Sequence, residues 1–190
     1  MNPPFIHSLA LDRTETWAAC AVGDGSCAVL DTEEGAEQMR LFGEHANGVV
    51  CVAWMDLPAD MTDRNETQGL LVTAGTDGRI VIWKVDNALK QTDRQRIVKR
   101  LKLSQKMASK KGSRPSRGSA KTQDLVPPQV LYRILHGYAD ASHDQSQKTG
   151  TALNWITVSP ACGVCIVACD VNNEITVYRN LEGGIRAKIG

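Results

Sequence analysis

Two β-rich apolar runs meet at an Asp-Gly pair in Leu70-Leu71-Val72-Thr73-Ala74-Gly75-Thr76-Asp77-Gly78-Arg79-Ile80-Val81-Ile82-Trp83, and this pattern constrains the fold more than any other part of the chain. Asp-Gly tolerates the positive φ of a tight turn, so the stretch predicts an antiparallel hairpin. The layout occurs twice more. Upstream, Gly23-Asp24-Gly25-Ser26-Cys27-Ala28-Val29-Leu30 places Leu30 six residues after Asp24, as Trp83 lies six after Asp77. Downstream, Val171-Asn172-Asn173-Glu174-Ile175-Thr176-Val177-Tyr178 has Asn172 for the Asp and Tyr178 for the Trp. A hairpin repeated in this way predicts an all-β repeat architecture.

His45 precedes Trp83 with 37 residues between them, and Gly43-Glu44-His45 stands at the head of that unit. A Gly-His pair near the start and a Trp near the end, in a unit of about 40–45 residues, resembles the WD-repeat family of β-propellers. The resemblance implies Gly directly before His and Asp after Trp; here Glu44 intervenes and Lys84 follows Trp83. Strands are expected near 5–11, 16–22, 26–31 and 37–42, then 48–55, 69–74, 79–85 and 129–135. A third set is expected near 151–158, 163–169 and 174–180, with only 186–189 left for its last strand. The expected fold is therefore a partial β-propeller of about three four-stranded blades, the last incomplete. Propellers close with about 4–8 blades. Three blades leave sheet faces open, so a longer parent chain, self-association or a partner is expected to cover them.

The first and second turns lie 53 residues apart and the second and third 95 apart, which points to an insertion in the second unit. Residues 90–121 carry 12 Lys or Arg against the single acid Asp93, a charge of +11, and the rest of the chain carries −10. The stretch 108–126 has too little apolar surface to offset the entropy of ordering and reads as disordered. The pairs Ile97 and Leu101, Val98 and Leu101, and Leu103 and Met107 give 89–107 the spacing of a short amphipathic helix. The organisation read from this is 1–87 as the first blade and most of the second, 88–128 as the basic insertion, and 129–190 as the remainder.

There is no apolar run of the ~18 residues that a membrane-spanning helix needs. Met1-Asn2-Pro3-Pro4-Phe5 lacks the basic and apolar regions of a secretory signal. A cytoplasmic or nuclear location is expected, with the six Cys reduced. Cys162, Cys165 and Cys169 lack the second ligand pair of a zinc site, and the turn glycines open no helix that could cradle a phosphate. No metal or cofactor is expected.

His45, Thr73, Asp77 and Trp83 match the buried hydrogen-bond tetrad of a WD blade, with Asp77 orienting His45, His45 meeting Thr73, and Thr73 meeting the indole N–H. Read as chemistry, His, Asp and a hydroxyl mimic a catalytic triad. A strand-interior Thr without an oxyanion hole is a poor nucleophile, so the structural reading is preferred and no enzyme is expected. Only the second unit should carry such a network, because Cys20, Asp24 and Leu30 in the first, and Ala168, Asn172 and Tyr178 in the third, lack its groups.

The resemblance implies a non-catalytic protein-interaction scaffold, and substrate reception for a cullin-type ubiquitin ligase through an adaptor is one form of it. The Trp-Asp-x-Arg pattern of adaptor docking is absent, since Lys84-Val85-Asp86 follows Trp83. In WD blades the connection entering a blade and its second turn share one face, so Phe5, His7, Val50, Thr76, Asn154 and Val171 should line the partner face. The alternative is a nuclear or nucleic-acid-associated factor acting through Lys99, Arg100, Lys102, Lys110, Lys111, Arg114 and Arg117. No aromatic residue lies in 90–121 to stack on bases, so that signal is weak.

Overall fold

A computed structural model describes residues 4–56, 69–85, 89, 127–136, 151–159, 165–179 and 185–189. They form three four-stranded antiparallel sheets, each a meander. The first sheet contains β1 (Ile6–Leu11), β2 (Trp17–Val22), β3 (Cys27–Asp31) and β4 (Glu37–Leu41). The second contains β5 (Val49–Asp56), β6 (Gly69–Gly75), β7 (Arg79–Lys84) and β8 (Gln129–Leu135). The third contains β9 (Leu153–Ser159), β10 (Cys165–Asp170), β11 (Ile175–Arg179) and β12 (Ile185–Ile189). The architecture is a partial β-propeller. The third sheet, expected to be incomplete, has its fourth strand, because Ile185–Ile189 pairs along the whole of β11.

The second sheet spans the basic insertion. Its β7 and β8 pair from Arg79↔Leu135 to Lys84↔Gln129, although more than forty residues separate them in sequence. The amphipathic helix and the disordered tract expected between them lie outside the described residues, apart from Leu89, which is buried in the core.

The three central hairpins share one turn. Val22 N–H bonds Ser26 C=O at 3.0 Å, and Asp170 N–H bonds Glu174 C=O at 3.2 Å. Gly25, Gly78 and Asn173 occupy the last turn position with φ of 87°, 75° and 62°. This is a three-residue loop, a type I turn followed by a left-handed residue. It makes Gly23, Thr76 and Val171 structural equivalents and lets each residue of one sheet be matched to a counterpart in the next.

Period-2 alternation then assigns the faces. On the second sheet, Val52, Leu71, Val81 and Trp83 belong to an apolar cluster shared with Ala19, Ala21, Cys27 and Val29 of the first. From its other face, Cys51, Val72, Ile80 and Ile82 join Ile156, Ile166 and Ala168 of the third. The second sheet is thus apolar on both faces because it is covered on both. The Trp54 indole N–H donates to Ala10 C=O at 3.0 Å and ties β5 to β1.

Candidate functional site

The turns and the connections into each sheet meet at one edge. Gly23 N–H donates to Phe5 C=O at 2.8 Å, Thr76 N–H to Gly48 C=O at 3.0 Å, and Val171 N–H to Ala152 C=O at 3.1 Å. The same bond recurs at equivalent positions, so the three edges form a rim of common construction. Between the first two sheets the rim is tight. A Cβ on Gly48 would lie 3.1 Å from Gly23 O, and one on Gly25 would lie 3.0 Å from Asn47 O.

Beneath the rim of the second sheet, four side chains form one chain of hydrogen bonds. The Trp83 indole N–H donates to Thr73 Oγ1 at 2.9 Å. Thr73 Oγ1 and His45 Nε2 are 2.8 Å apart, and His45 Nδ1 and Asp77 Oδ1 are 3.3 Å apart. A carboxylate can only accept, so His45 carries a proton on Nδ1, and in the neutral ring its Nε2 accepts the Thr73 hydroxyl proton. Asp77 also accepts from Ala46 N–H at 2.8 Å and Arg79 N–H at 3.1 Å. Burial alone would raise the Asp77 pKa; the bonds from His45 and Ala46 outweigh it and hold the carboxyl below its ordinary value. The Asp77 carboxylate lies beside Gly75, where a Cβ would come within 2.5 Å of Oδ1 and 2.6 Å of His45 Nδ1. Gly75 is therefore an obligatory space in this sheet.

The third sheet has a network of its own, which overturns the expectation that Ala168, Asn172 and Tyr178 leave it without one. His136 Nε2 lies 3.2 Å from Asp170 Oδ2, and Nδ1 lies 2.7 Å from the Tyr178 hydroxyl. All three are buried. Asp170 is the counterpart of Gly75, not of Asp77, so the carboxylate has moved two residues along the chain into the space that glycine leaves open. The Tyr178 hydroxyl reaches the imidazole directly and does the work that Thr73 and Trp83 share in the second sheet. The ring is reversed, with Nε2 towards the carboxylate. Burial acts to raise the Asp170 pKa, but the Glu174 N–H, His136 and the Asn172 N–H lower it overall. In the first sheet Asp24 turns outward and binds the Ser26 N–H at 2.9 Å and hydroxyl at 2.6 Å.

Of the side chains expected on the partner face, Phe5, His7, Thr76, Asn154 and Val171 are exposed on this rim. Val50 is not open surface: it is half-buried and packs against the cluster between the second and third sheets. A register shift between Val49 and Cys51 turns it inward. Phe42, at the end of β4 on the same edge, is 75% exposed and was missed, because a single aromatic after a strand gives no periodic signal. Lys99, Arg100, Lys102, Lys110, Lys111, Arg114 and Arg117 lie outside the described residues, as does Cys162. Among the described residues no group of three His, Cys, Asp or Glu side chains could hold a metal ion, and no helix is long and apolar enough to cross a membrane. Cys27 is buried, and burial pushes its thiol up to about 12, so it is an inert core residue.

No family model matches the chain. It is similar to the protein SEC13 homolog of Drosophila melanogaster, 26% identical over 182 residues, which cover 87% of this chain and 49% of that protein. The chain therefore spans about half the length of the curated relative it matches. This similarity and the three meander sheets fit the WD-repeat superfamily and a role in protein–protein interaction at that general level.

Proposed function

We propose that the chain is a non-catalytic interaction scaffold that recognises a protein partner on the rim where the sheet connections and second turns meet. The observation that carries this reading is the exposure of Phe5, Phe42 and Val171 at 67%, 75% and 54% on an edge pinned by buried hydrogen bonds. Large apolar side chains presented on a rigid support suit protein recognition, in which aromatic anchors dominate the binding energy. The His45–Asp77 and His136–Asp170 pairs support the rim from beneath. Neither presents an open nucleophile, which favours a structural role over a catalytic one.

The finer form of the reading is a substrate receptor for a cullin-type ubiquitin ligase, acting in the nucleus or cytosol. Its support is a resemblance to the C-terminal half of WD repeat-containing protein 53, carried by Thr73-Ala74-Gly75-Thr76-Asp77-Gly78-Arg79-Ile80 before Trp83, the basic insertion after it, and Leu153-Asn154-Trp155. A second reading rests on the +11 charge of 90–121, which suits binding to nucleic-acid phosphates or nuclear targeting.

Quantitative affinity purification with the tagged chain separates the two. Phe5→Asp with Phe42→Asp should lower capture of a protein partner about tenfold or more, equivalent to ~1.4 kcal/mol. Deleting 90–121 should leave that capture intact and should abolish any salt-dependent binding to unrelated DNA. If the deletion alone removes protein capture, the scaffold reading is wrong and the basic arm carries the function.

A further inference from the structure

The geometry points to an extended, uncharged peptide segment of a partner protein as the occupant of the rim, held by apolar contacts and by its own backbone amides and not by ion pairs. The inference rests on the rim being the recognition surface and adds the chemistry of what it recognises. It comes from the groups on that edge that are still free to bind.

Every carboxylate and guanidinium described on this edge is already engaged within the chain. Arg133 closes its fork on both carboxylate oxygens of Glu44, with Nη2 2.7 Å from Oε1. Arg79 donates to Glu44 C=O at 2.8 Å and lies 3.7 Å from Asp77 Oδ2. Arg40 donates to Glu37 Oε1 at 2.9 Å and lies 3.8 Å from Asp24 Oδ2, and Glu174 also has a partner. The bond from Arg133 holds the Glu44 carboxyl below its ordinary value. A charged partner would have to break one such pair to make another, which yields little net attraction.

The neutral groups are in a different position. Phe42 is exposed on the connection between β4 and β5, and Val171 on the turn between β10 and β11. The connection that carries Phe42 is fixed. Two arginines hold Glu44, Asp77 accepts the Ala46 N–H at 2.8 Å, and Gly48 C=O accepts the Thr76 N–H at 3.0 Å. Around these anchors, Asn47, Asn172 and Asn173 are exposed and their side-chain amides bond to no described residue. Asn154 is exposed and spends one amide proton on Asp170 C=O at 3.1 Å. An amide side chain both donates and accepts, which matches the N–H and C=O groups of an extended peptide. A helical segment pairs those groups internally and would leave the asparagines unused. Apolar anchors on a rigid support, bordered by neutral hydrogen-bonding groups, make a recognition site that needs no charge.

Peptide binding to the full 190-residue chain tests this. The probes are short synthetic peptides of equal length in three sets. One set is uncharged and rich in Leu, Phe and Ser; the others carry Asp or Lys in place of the Ser. Binding is scored as the part that Phe42→Asp removes, so capture by 90–121 does not count. The uncharged set should bind, and Phe42→Asp should weaken it about tenfold or more. Its affinity should stay level as ionic strength rises to about 0.15 M. Circular dichroism checks that the variant folds. If it unfolds, protection of the 42–48 amides of the wild-type chain against hydrogen exchange by the uncharged set replaces it. Phe42-dependent binding that prefers the Asp or the Lys set, or that falls with salt, would overturn the proposal while leaving the rim as a recognition surface. Equal binding of a helix-stapled uncharged peptide would overturn it as well. Binding that does not depend on Phe42, or no binding, would overturn the rim reading itself and this proposal with it.

Discussion

Thr73→Val cuts the second-sheet network at its centre while keeping shape and β-branching. Thr73 is fully buried and links the Trp83 indole to His45. Removing its hydroxyl leaves the Trp83 N–H without an acceptor and His45 Nε2 without a donor. Each buried group left without a partner costs about 1–3 kcal/mol, so the substitution should cost about 2–6 kcal/mol. That is a large fraction of the ~5–15 kcal/mol that holds an ordinary domain together. Urea unfolding at fixed protein concentration reads it as a lower midpoint at unchanged slope. Adding Trp83→Phe removes one of the two stranded groups, so the double variant should lose less than the sum of the singles by about 1 kcal/mol or more. A loss below ~0.5 kcal/mol, the range of inert surface changes, or strict additivity would refute the reasoning.

Tyr178→Phe should destabilise the chain by about 1–3 kcal/mol through loss of the donor to His136 Nδ1, measured by the same titration; an unchanged midpoint would mean that the third-sheet network contributes nothing. Asp77 and Asp170 have folded-state pKa values lowered from the ordinary 3.8, so the unfolded state binds protons first as pH falls. Their contribution is present above 3.8 and is lost as pH drops from there through the lower folded values, and Asp77→Asn should flatten that part of a stability–pH profile. Gly75→Ala should destabilise by at least as much as the Thr73 change, since its Cβ would meet Asp77 Oδ1 at 2.5 Å, and a wild-type thermal midpoint would contradict the packing described.

The strand pattern was legible in the sequence to within about two residues at most strand ends, because alternation and turn chemistry are local signals. His45, Thr73, Asp77 and Trp83 could be assembled because the resemblance to a WD unit prescribes such a tetrad at their positions. The His136 network could not. Its carboxylate comes from the position where the second sheet has glycine, one tyrosine hydroxyl replaces two side chains, and 34 residues separate His136 from Asp170. Equivalence of space, not of sequence position, defines that site. The faces of single side chains were equally hidden. Val50 turns inward at an irregular pairing, and Trp155 is exposed on β9 while its neighbour Ile156 is buried.

The second and third sheets hold their common rim with buried histidine–carboxylate networks built in opposite ring orientations. Long-range proton–nitrogen NMR of the two imidazoles tests this most directly. His45 should carry its proton on Nδ1, facing Asp77, and His136 on Nε2, facing Asp170. Two different, slowly exchanging tautomers are the predicted result; the same tautomer in both rings, or averaged signals typical of solvent-exposed histidine, would contradict the account.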